Sequence, residues 1–75
     1  MSAPCILHAL DGTGDTTLTW DPVQLPEVVA ARELFATLKR KGYLAYRVDG
    51  EDREVIQEFD HTAPKIVMTP PLVGG

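Results

Sequence analysis

Residues 25–42, LPEVVAARELFATLKRKG, decide the fold of this 75-residue chain. Pro26 near the start and Gly42 just past the end favour a helix over about residues 26–41. Tyr43 follows at a position from which it can pack back on the last helical turn. Spacings of three and four place one apolar stripe on this helix, formed by Val28, Ala31, Leu34, Phe35 and Leu38. Such a stripe needs another layer to cover, which in so short a chain is most simply a sheet.

Alternating or apolar segments on both sides of the helix predict the strands of that sheet. These segments are residues 5–10, 16–20, 43–48, 53–59 and 65–69. The first two flank the turn Asp11-Gly12-Thr13-Gly14-Asp15 and predict a hairpin, with Leu18 and Trp20 on one face of its second strand. In residues 43–48, Leu44 and Tyr46 share a face with Val48. Polar residues in 53–59 favour an edge position for that strand.

The order strand, strand, helix, strand, strand, strand predicts an α+β fold, with a mixed sheet of four to five strands and one helix across one face. If the last strand lies beside the first in the middle of the sheet, the fold is a β-grasp. The apolar residues 66–68 favour that central place. We expect residues 1–69 to form this domain and residues 70–75 to form an extended tail.

The amino-acid composition limits the kinds of partner and the cellular compartments that fit this chain. The net charge of −4 argues against binding a nucleic acid, which needs clustered Lys and Arg. No stretch approaches the roughly 20 apolar residues of a membrane helix. A single cysteine, Cys5, cannot form an internal disulfide, and we expect it to be a small core residue. The sequence therefore predicts a cytoplasmic protein that binds neither nucleic acid nor membranes.

The last six residues of the sequence are the strongest functional signal. Pro70 and Pro71 fix φ and end the preceding strand, so that the residues after them project in an extended direction. Gly74 and Gly75 have no side chains, so a terminal carboxylate on Gly75 would fit a narrow channel. Leu72 and Val73 offer apolar anchoring in a partner's groove. The pattern indicates chemistry performed on Gly75 by another enzyme.

The ending Met68-Thr69-Pro70-Pro71-Leu72-Val73-Gly74-Gly75, with the size and the element order, resembles ubiquitin-like sulfur carriers. The resemblance is to the small subunit of molybdopterin synthase and to the sulfur carrier of thiamine biosynthesis. The hairpin over residues 6–22 also looks like the opening hairpin of ubiquitin.

The resemblance implies a protein cosubstrate and not an enzyme. An activating enzyme would adenylate the Gly75 carboxylate with ATP, and sulfur or a thiol would then replace AMP. Its partners would be that adenylating enzyme and an acceptor of the sulfur or of the modifier. No resident cofactor, metal or catalytic set is expected.

Two other functions remain open. One is a small β-grasp interaction module, of phage, plasmid or accessory-operon type, that docks through its sheet face or an acidic edge. The other is a structural subunit that adds its edge strand to a larger assembly. Exposed apolar residues on the sheet face away from the helix would favour these alternatives over the carrier.

Other candidate sites have simpler structural explanations. The 11–15 turn carries two carboxylates but lacks the ligand spacing of a calcium loop. His8 falls in an apolar strand and His61 in a turn, so neither indicates a catalytic set. Lys39-Arg40-Lys41 suits the carboxyl end of a helix, or an acidic partner. Acidic residues that would form an acidic face if they cluster are Glu54, Glu58, Asp60 and those of the 11–15 turn.

Overall fold

The computed structural model describes residues 4–10 and 14–71 of the chain. Its elements are β1 (Cys5–Ala9), β2 (Thr16–Trp20), α1 (Leu25–Arg40), β3 (Leu44–Asp49), β4 (Asp52–Ile56) and β5 (Lys65–Thr69). The strands form one mixed sheet in the order β2-β1-β5-β3-β4. The α+β class, the element order and a mixed sheet with one helix are therefore confirmed.

The central strand of the sheet is β5. It runs parallel to β1, with Leu7 opposite Ile66, and antiparallel to β3, with Ala45 opposite Met68. β2 and β4 pair antiparallel with β1 and β3, respectively, and form the two edges. The predicted hairpin is present as the β1–β2 pair, although residues 11–13 of its turn lie outside the described residues. The apolar character of residues 66–68 thus indicated a central strand correctly.

The core lies between α1 and the inner face of the sheet. The helix contributes Ala31, Phe35 and Leu38 as buried residues, with Val28 and Leu34 partly buried. The sheet contributes fully buried side chains from four strands: Leu7, Trp20, Ala45, Ile66 and Met68. The predicted helical stripe is confirmed, and so is the prediction that Leu18 and Trp20 share one face of β2, which the structure turns toward the core.

The fourth strand ends earlier than its sequence predicts. Residues 53–59 were expected to be extended together, but β4 ends at Ile56 and residues 57–59 leave the sheet. Phe59 packs against the core instead, with its ring centroid 5.2 Å from that of Trp20 and 5.7 Å from that of Phe35. Packing against two buried aromatic rings outweighs continued strand pairing at an exposed edge. The other predicted boundaries differ by at most one residue from those observed.

The carboxyl end of α1 closes with a backbone motif. The Gly42 N–H donates to the Lys39 carbonyl (3.0 Å) and the Tyr43 N–H donates to the Leu38 carbonyl (3.1 Å). This is a Schellman motif with Gly42 at the left-handed position, where its φ is +92°. Tyr43 is partly buried and packs against the hydrophobic core. The motif turns the chain directly from the helix into β3.

We expect Gly42→Ala to lower the free energy of unfolding by about 1–2 kcal/mol, because a Cβ is strained at this φ. Urea unfolding followed by Trp20 fluorescence measures the loss. Gly50 is also at positive φ (+62°), and a Cβ added there would have no neighbouring atom within 4 Å. Gly50→Asn is therefore the matched control and should change stability by less than about 0.5 kcal/mol. Equal losses in both variants would contradict a special role for Gly42.

Candidate functional site

The face of the sheet turned away from α1, called the outer face here, presents an apolar surface. Strand alternation fixes which residues lie on it, since Ala45 and Ile66 are buried on the helix side. The outer positions are Ile6 and His8 of β1, Thr17 and Thr19 of β2, Lys65, Val67 and Thr69 of β5, Leu44, Tyr46 and Val48 of β3, and Arg53 and Val55 of β4.

A groove lies on the part of the outer face formed by β5, β3 and β4. It is lined by Leu10, Tyr46, Val48, Arg53, Val55, Val67 and Thr69. The Leu10 N–H donates to the Met68 carbonyl (2.9 Å), which holds Leu10 beside the end of β5. Val55 is 52% exposed and Leu44 is 47% exposed, so this surface is open to contact. Contiguous exposed apolar residues of this kind mark interaction surfaces.

The charge of the outer face is opposite in sign to that of the whole chain. Its cationic side chains are Arg53 and Lys65, and the outer positions of the five described strands include no Asp or Glu. The chain as a whole carries −4. The apolar groove therefore carries one positive group, Arg53, in its lining, a combination suited to a partner surface that pairs apolar side chains with a carboxylate.

The chain leaves β5 at the border of the outer face. Pro70 and Pro71 follow Thr69 and are exposed. A Cβ placed on Gly42 would lie 3.5 Å from both Cβ and Cγ of Pro71, so the exit passes beside the end of α1. A second groove, here called the exit groove, is lined by Gly42, Leu44, Tyr46, Thr69, Pro70 and Pro71. Since Tyr46 and Thr69 line both grooves, the apolar surface is continuous from the outer face to Pro71.

The remaining residues of the predicted tail, Leu72, Val73, Gly74 and Gly75, lie outside the described residues. The described portion establishes their point of departure. Pro71, the last described residue, lies at the end of the sheet where Gly42 begins the segment leading to β3.

His8, His61 and Cys5 do not form a common site. His8 lies on the outer face, where its Nδ1 is 3.1 Å from the Thr17 hydroxyl and its Nε2 is 3.6 Å from a carboxylate oxygen of Asp15. The His61 backbone carbonyl accepts hydrogen bonds from Trp20 Nε1 (3.0 Å) and from the Cys5 thiol (3.8 Å). His61 is thus a turn residue that joins the loop to the core, as its sequence context predicted.

Cys5 is a buried core residue whose surroundings disfavour the thiolate form. Its side chain belongs to the hydrophobic core, in agreement with the prediction. Burial raises the pKa of the Cys5 thiol, and the negative charges of Asp21 and Asp60 raise it further. Because the thiolate is the nucleophilic form, these effects disfavour chemistry at this sulfur.

The connection between β4 and β5 is anchored to β3 through Asp60. Its Oδ2 accepts a hydrogen bond from Arg47 Nε (3.1 Å), and its Oδ1 accepts from the Thr62 hydroxyl (2.6 Å) and from the Thr62 N–H (3.0 Å). The Thr62 hydroxyl is the main cause of a pKa for Asp60 below its ordinary value of 3.8. The Thr62 N–H and Arg47 lower the pKa of Asp60 further, against a partial burial that raises it. This anchor positions Phe59 and His61 over the core.

Asp60→Ala should lower the free energy of unfolding by about 1 kcal/mol at pH 7, a modest loss because the carboxylate is partly exposed. Since the pKa of Asp60 is lower in the folded chain, its contribution is present above the ordinary value of 3.8 and disappears as the pH falls through the folded-state pKa. Unfolding in urea between pH 2 and 7 should thus show the variant converging with wild type in acid. The exposed Asp52→Ala is the control, and a constant difference at all pH values would contradict the assignment.

The acidic face considered from the sequence does not assemble as a single surface. Asp15 immediately precedes β2 and Glu54 belongs to β4, and these strands are the opposite edges of the five-strand sheet. With about 4.8 Å between neighbouring strands, the two edges lie roughly 19 Å apart. Asp60 is engaged with Arg47, and Asp11 lies outside the described residues. The sheet order therefore keeps Asp15 and Glu54 from sharing one acidic face.

Sequence reasoning missed the outer groove. Residues 44–48 have apolar side chains on both faces, and the alternation alone does not say which face α1 covers. The structure buries Ala45 and leaves Tyr46 and Val48 on the outer side. The sequence feature that could have revealed this groove is Val67, which lies between the core residues Ile66 and Met68. A continuous run of apolar residues indicates a strand with two apolar faces.

Comparison of the chain with protein-family models, with curated proteins and with solved structures gives no match. Across residues 4–10 and 14–71, no group of three or more His, Cys, Asp or Glu side chains is placed to hold a metal ion. In the same described part of the chain, no helix is long and apolar enough to cross a membrane.

Proposed function

We propose that this chain is a ubiquitin-like β-grasp protein that acts as a sulfur carrier or protein modifier. In this proposal a partner adenylating enzyme activates the Gly75 carboxylate, and an acceptor protein or enzyme receives the sulfur or the modifier. Residues 1–69 are the domain that docks, and residues 70–75 are the tail that enters the partner's active site.

The sheet order supports the β-grasp assignment. The last strand, β5, lies beside the first, β1, and parallel to it, in the middle of the sheet. That is the arrangement expected if the tail is to extend from a central strand. A central strand is held on both sides, so it gives the residues that follow it a fixed point of departure.

The observation that carries the proposal is the continuity between the outer face and the tail exit. Tyr46 and Thr69 line both the outer groove and the exit groove, and Pro70-Pro71 form one wall of the latter. A partner that covers the outer face would thus also surround the point at which the tail departs. The two prolines would keep the body of the domain away from the reacting carboxylate.

The chemistry uses the terminal carboxylate as a nucleophile. A Gly75 carboxylate oxygen attacks the α-phosphorus of ATP, the bond to the β-phosphate oxygen breaks, and pyrophosphate leaves with its electron pair. A sulfur nucleophile then attacks the acyl carbon and AMP departs. Glycine at positions 74 and 75 leaves room for both attacks, since neither residue has a side chain.

Exchange of labelled pyrophosphate into ATP tests the first step. The protein is added to a dialysed extract of the cells that produce it, and the increment in exchange over the extract alone is measured. Wild type should give a saturable increment, and the variant lacking Gly75 should give none. An absent increment for wild type, or equal increments for both proteins, would overturn the proposal.

An interaction module that is never activated is the second candidate. The exposed apolar outer face, with Val55 at 52% and Leu44 at 47% exposure, is the observation that favours it. Such a module would use this face and would not need Gly75. Deletion of Gly75 would then leave the cellular function of the protein intact, whereas the carrier would lose it.

Val55→Asp should weaken docking to the partner without unfolding the domain, whichever of the two candidate functions holds. The side chain is half-exposed on the outer groove, so the free energy of unfolding should fall by less than about 1 kcal/mol. In the exchange assay, the KM for the protein should rise about tenfold, because a carboxylate would replace an apolar contact. Glu54→Ala, on the same strand but its other face, is the control. A KM unchanged by Val55→Asp would remove the outer face from the docking surface.

A further inference from the structure

The carboxyl end of α1 carries three consecutive cations, Lys39, Arg40 and Lys41, that form no ion pair within the described residues. Lys39 Nζ donates to the Gln57 side-chain oxygen (3.2 Å), and Arg40 donates to the Thr37 hydroxyl (3.3 Å). Both partners are neutral. Within residues 4–10 and 14–71, the ion pairs involve His8 and Arg47, and no carboxylate lies within 4.0 Å of the ammonium or guanidinium groups of residues 39–41.

Helix capping does not require these side chains. The carbonyls of Thr37, Leu38 and Lys39 already accept hydrogen bonds from the backbone N–H groups of Lys41, Gly42 and Tyr43. What remains is attraction to the helix dipole, which is weak at an exposed terminus. One cation satisfies that interaction, so three consecutive cations exceed what the helix end needs.

The position of the group is its most informative property. Gly42 follows Lys41 directly, and a Cβ on Gly42 would be 3.5 Å from Pro71. The backbone at Lys41 therefore lies close to the point at which the chain leaves β5. Arg40 and Lys41 are both exposed. The group gives the tail exit positive neighbours in a chain of net charge −4.

We infer that Arg40 and Lys41 form a docking site for carboxylates on a protein partner, at the rim of the active site that receives the tail. This inference rests on the proposed function and names the chemistry of that partner. Carboxylates around the partner's active site would repel the acidic remainder of this domain and attract the cations beside its tail exit. The two proteins would therefore meet with the tail facing the active site. At physiological salt the Debye length is about 8 Å, and the local cations outweigh the distant carboxylates.

A matched pair of charge reversals tests the inference in the pyrophosphate exchange assay. Lys41→Glu and Arg32→Glu change the net charge equally, and both side chains are exposed, but Arg32 lies within α1, away from the tail exit. Lys41→Glu should raise the KM for the protein about threefold to tenfold at low salt and leave kcat within about twofold. Arg32→Glu should change neither. Lys41→Arg, which keeps the charge, should retain the wild-type KM.

Salt provides the second readout. The KM ratio between Lys41→Glu and wild type should approach one at about 1 M salt, where the Debye length is about 3 Å. Equal KM values for Lys41→Glu and Arg32→Glu, or a ratio insensitive to salt, would overturn the inference while wild type remains active. A fall in kcat alone would also overturn it, because it would place the cation at the reacting groups. If wild type gives no more exchange than the variant lacking Gly75, the proposed function fails, and this inference fails with it.

Discussion

Replacing Gly74 with valine is expected to abolish activation of the chain while leaving its fold intact. A branched side chain next to the terminal residue widens the segment that must enter the partner's active site. Displacement of a reacting group by about 1 Å costs roughly 100-fold in rate, so we expect at least that loss in kcat/KM for exchange. The measurement is the initial rate of pyrophosphate exchange over a range of protein concentrations.

Two controls isolate the effect of bulk at Gly74. Gly74→Ala adds one methyl group and should give a smaller loss than Gly74→Val. The urea unfolding curves of both variants should overlay that of wild type, because residue 74 follows the last strand, β5, by five positions. Exchange by Gly74→Val at the wild-type rate would show that the tail is not confined during the reaction, and the carrier mechanism would then be wrong.

Trp20→Ala is expected to cause the largest loss of stability of any single substitution considered. Its side chain is fully buried, its ring packs against Phe59 at 5.2 Å, and its Nε1 donates to the His61 carbonyl. Removing a large aromatic residue from a core costs about 3–5 kcal/mol. A domain of this length has a total stability of about 4–11 kcal/mol. The variant should thus be partly or wholly unfolded at 37 °C, as measured by far-UV circular dichroism.

Two further variants keep this prediction testable if Trp20→Ala does not fold. Trp20→Phe retains an aromatic ring but loses the hydrogen bond to His61, and it should remain folded with a loss of about 1–2 kcal/mol. Val23→Ala, at a side chain that is 75% exposed, should change stability by less than about 0.5 kcal/mol. A melting curve for Trp20→Ala close to that of Val23→Ala would contradict the central place of Trp20 in the core.

Most of the helix and strand bounds could be predicted because they depend on residues that are neighbours in the sequence. The apolar stripe and Gly42 determine α1 and its end, and the predicted strands 16–20 and 65–69 have the observed bounds. The predicted end of β4 was wrong because the observed end depends on the packing of Phe59 against Trp20 and Phe35. Both residues are distant from Phe59 in sequence. No spacing rule in the sequence encodes that contact.

The site was predictable only in part, and for a similar reason. Pro70 and Pro71 could be read as the start of a tail from their chemistry alone. Their position beside Gly42 follows from the β3–β5 register, which places Leu44 opposite Thr69. The open groove around Tyr46 also depends on which sheet face α1 covers. These features arise from long-range packing, which a single sequence does not specify.

Intact-mass analysis of the protein purified from its own cells tests the central claim most directly. The carrier function predicts a chain that ends at Gly75, with a fraction in which sulfur replaces one carboxylate oxygen, or a conjugate joined through Gly75. That fraction should react with a thiol-alkylating reagent and disappear in the variant lacking Gly75. A native chain that continues beyond Gly75 in every molecule, or that always ends there with an unmodified carboxylate and no conjugates, would contradict the claim.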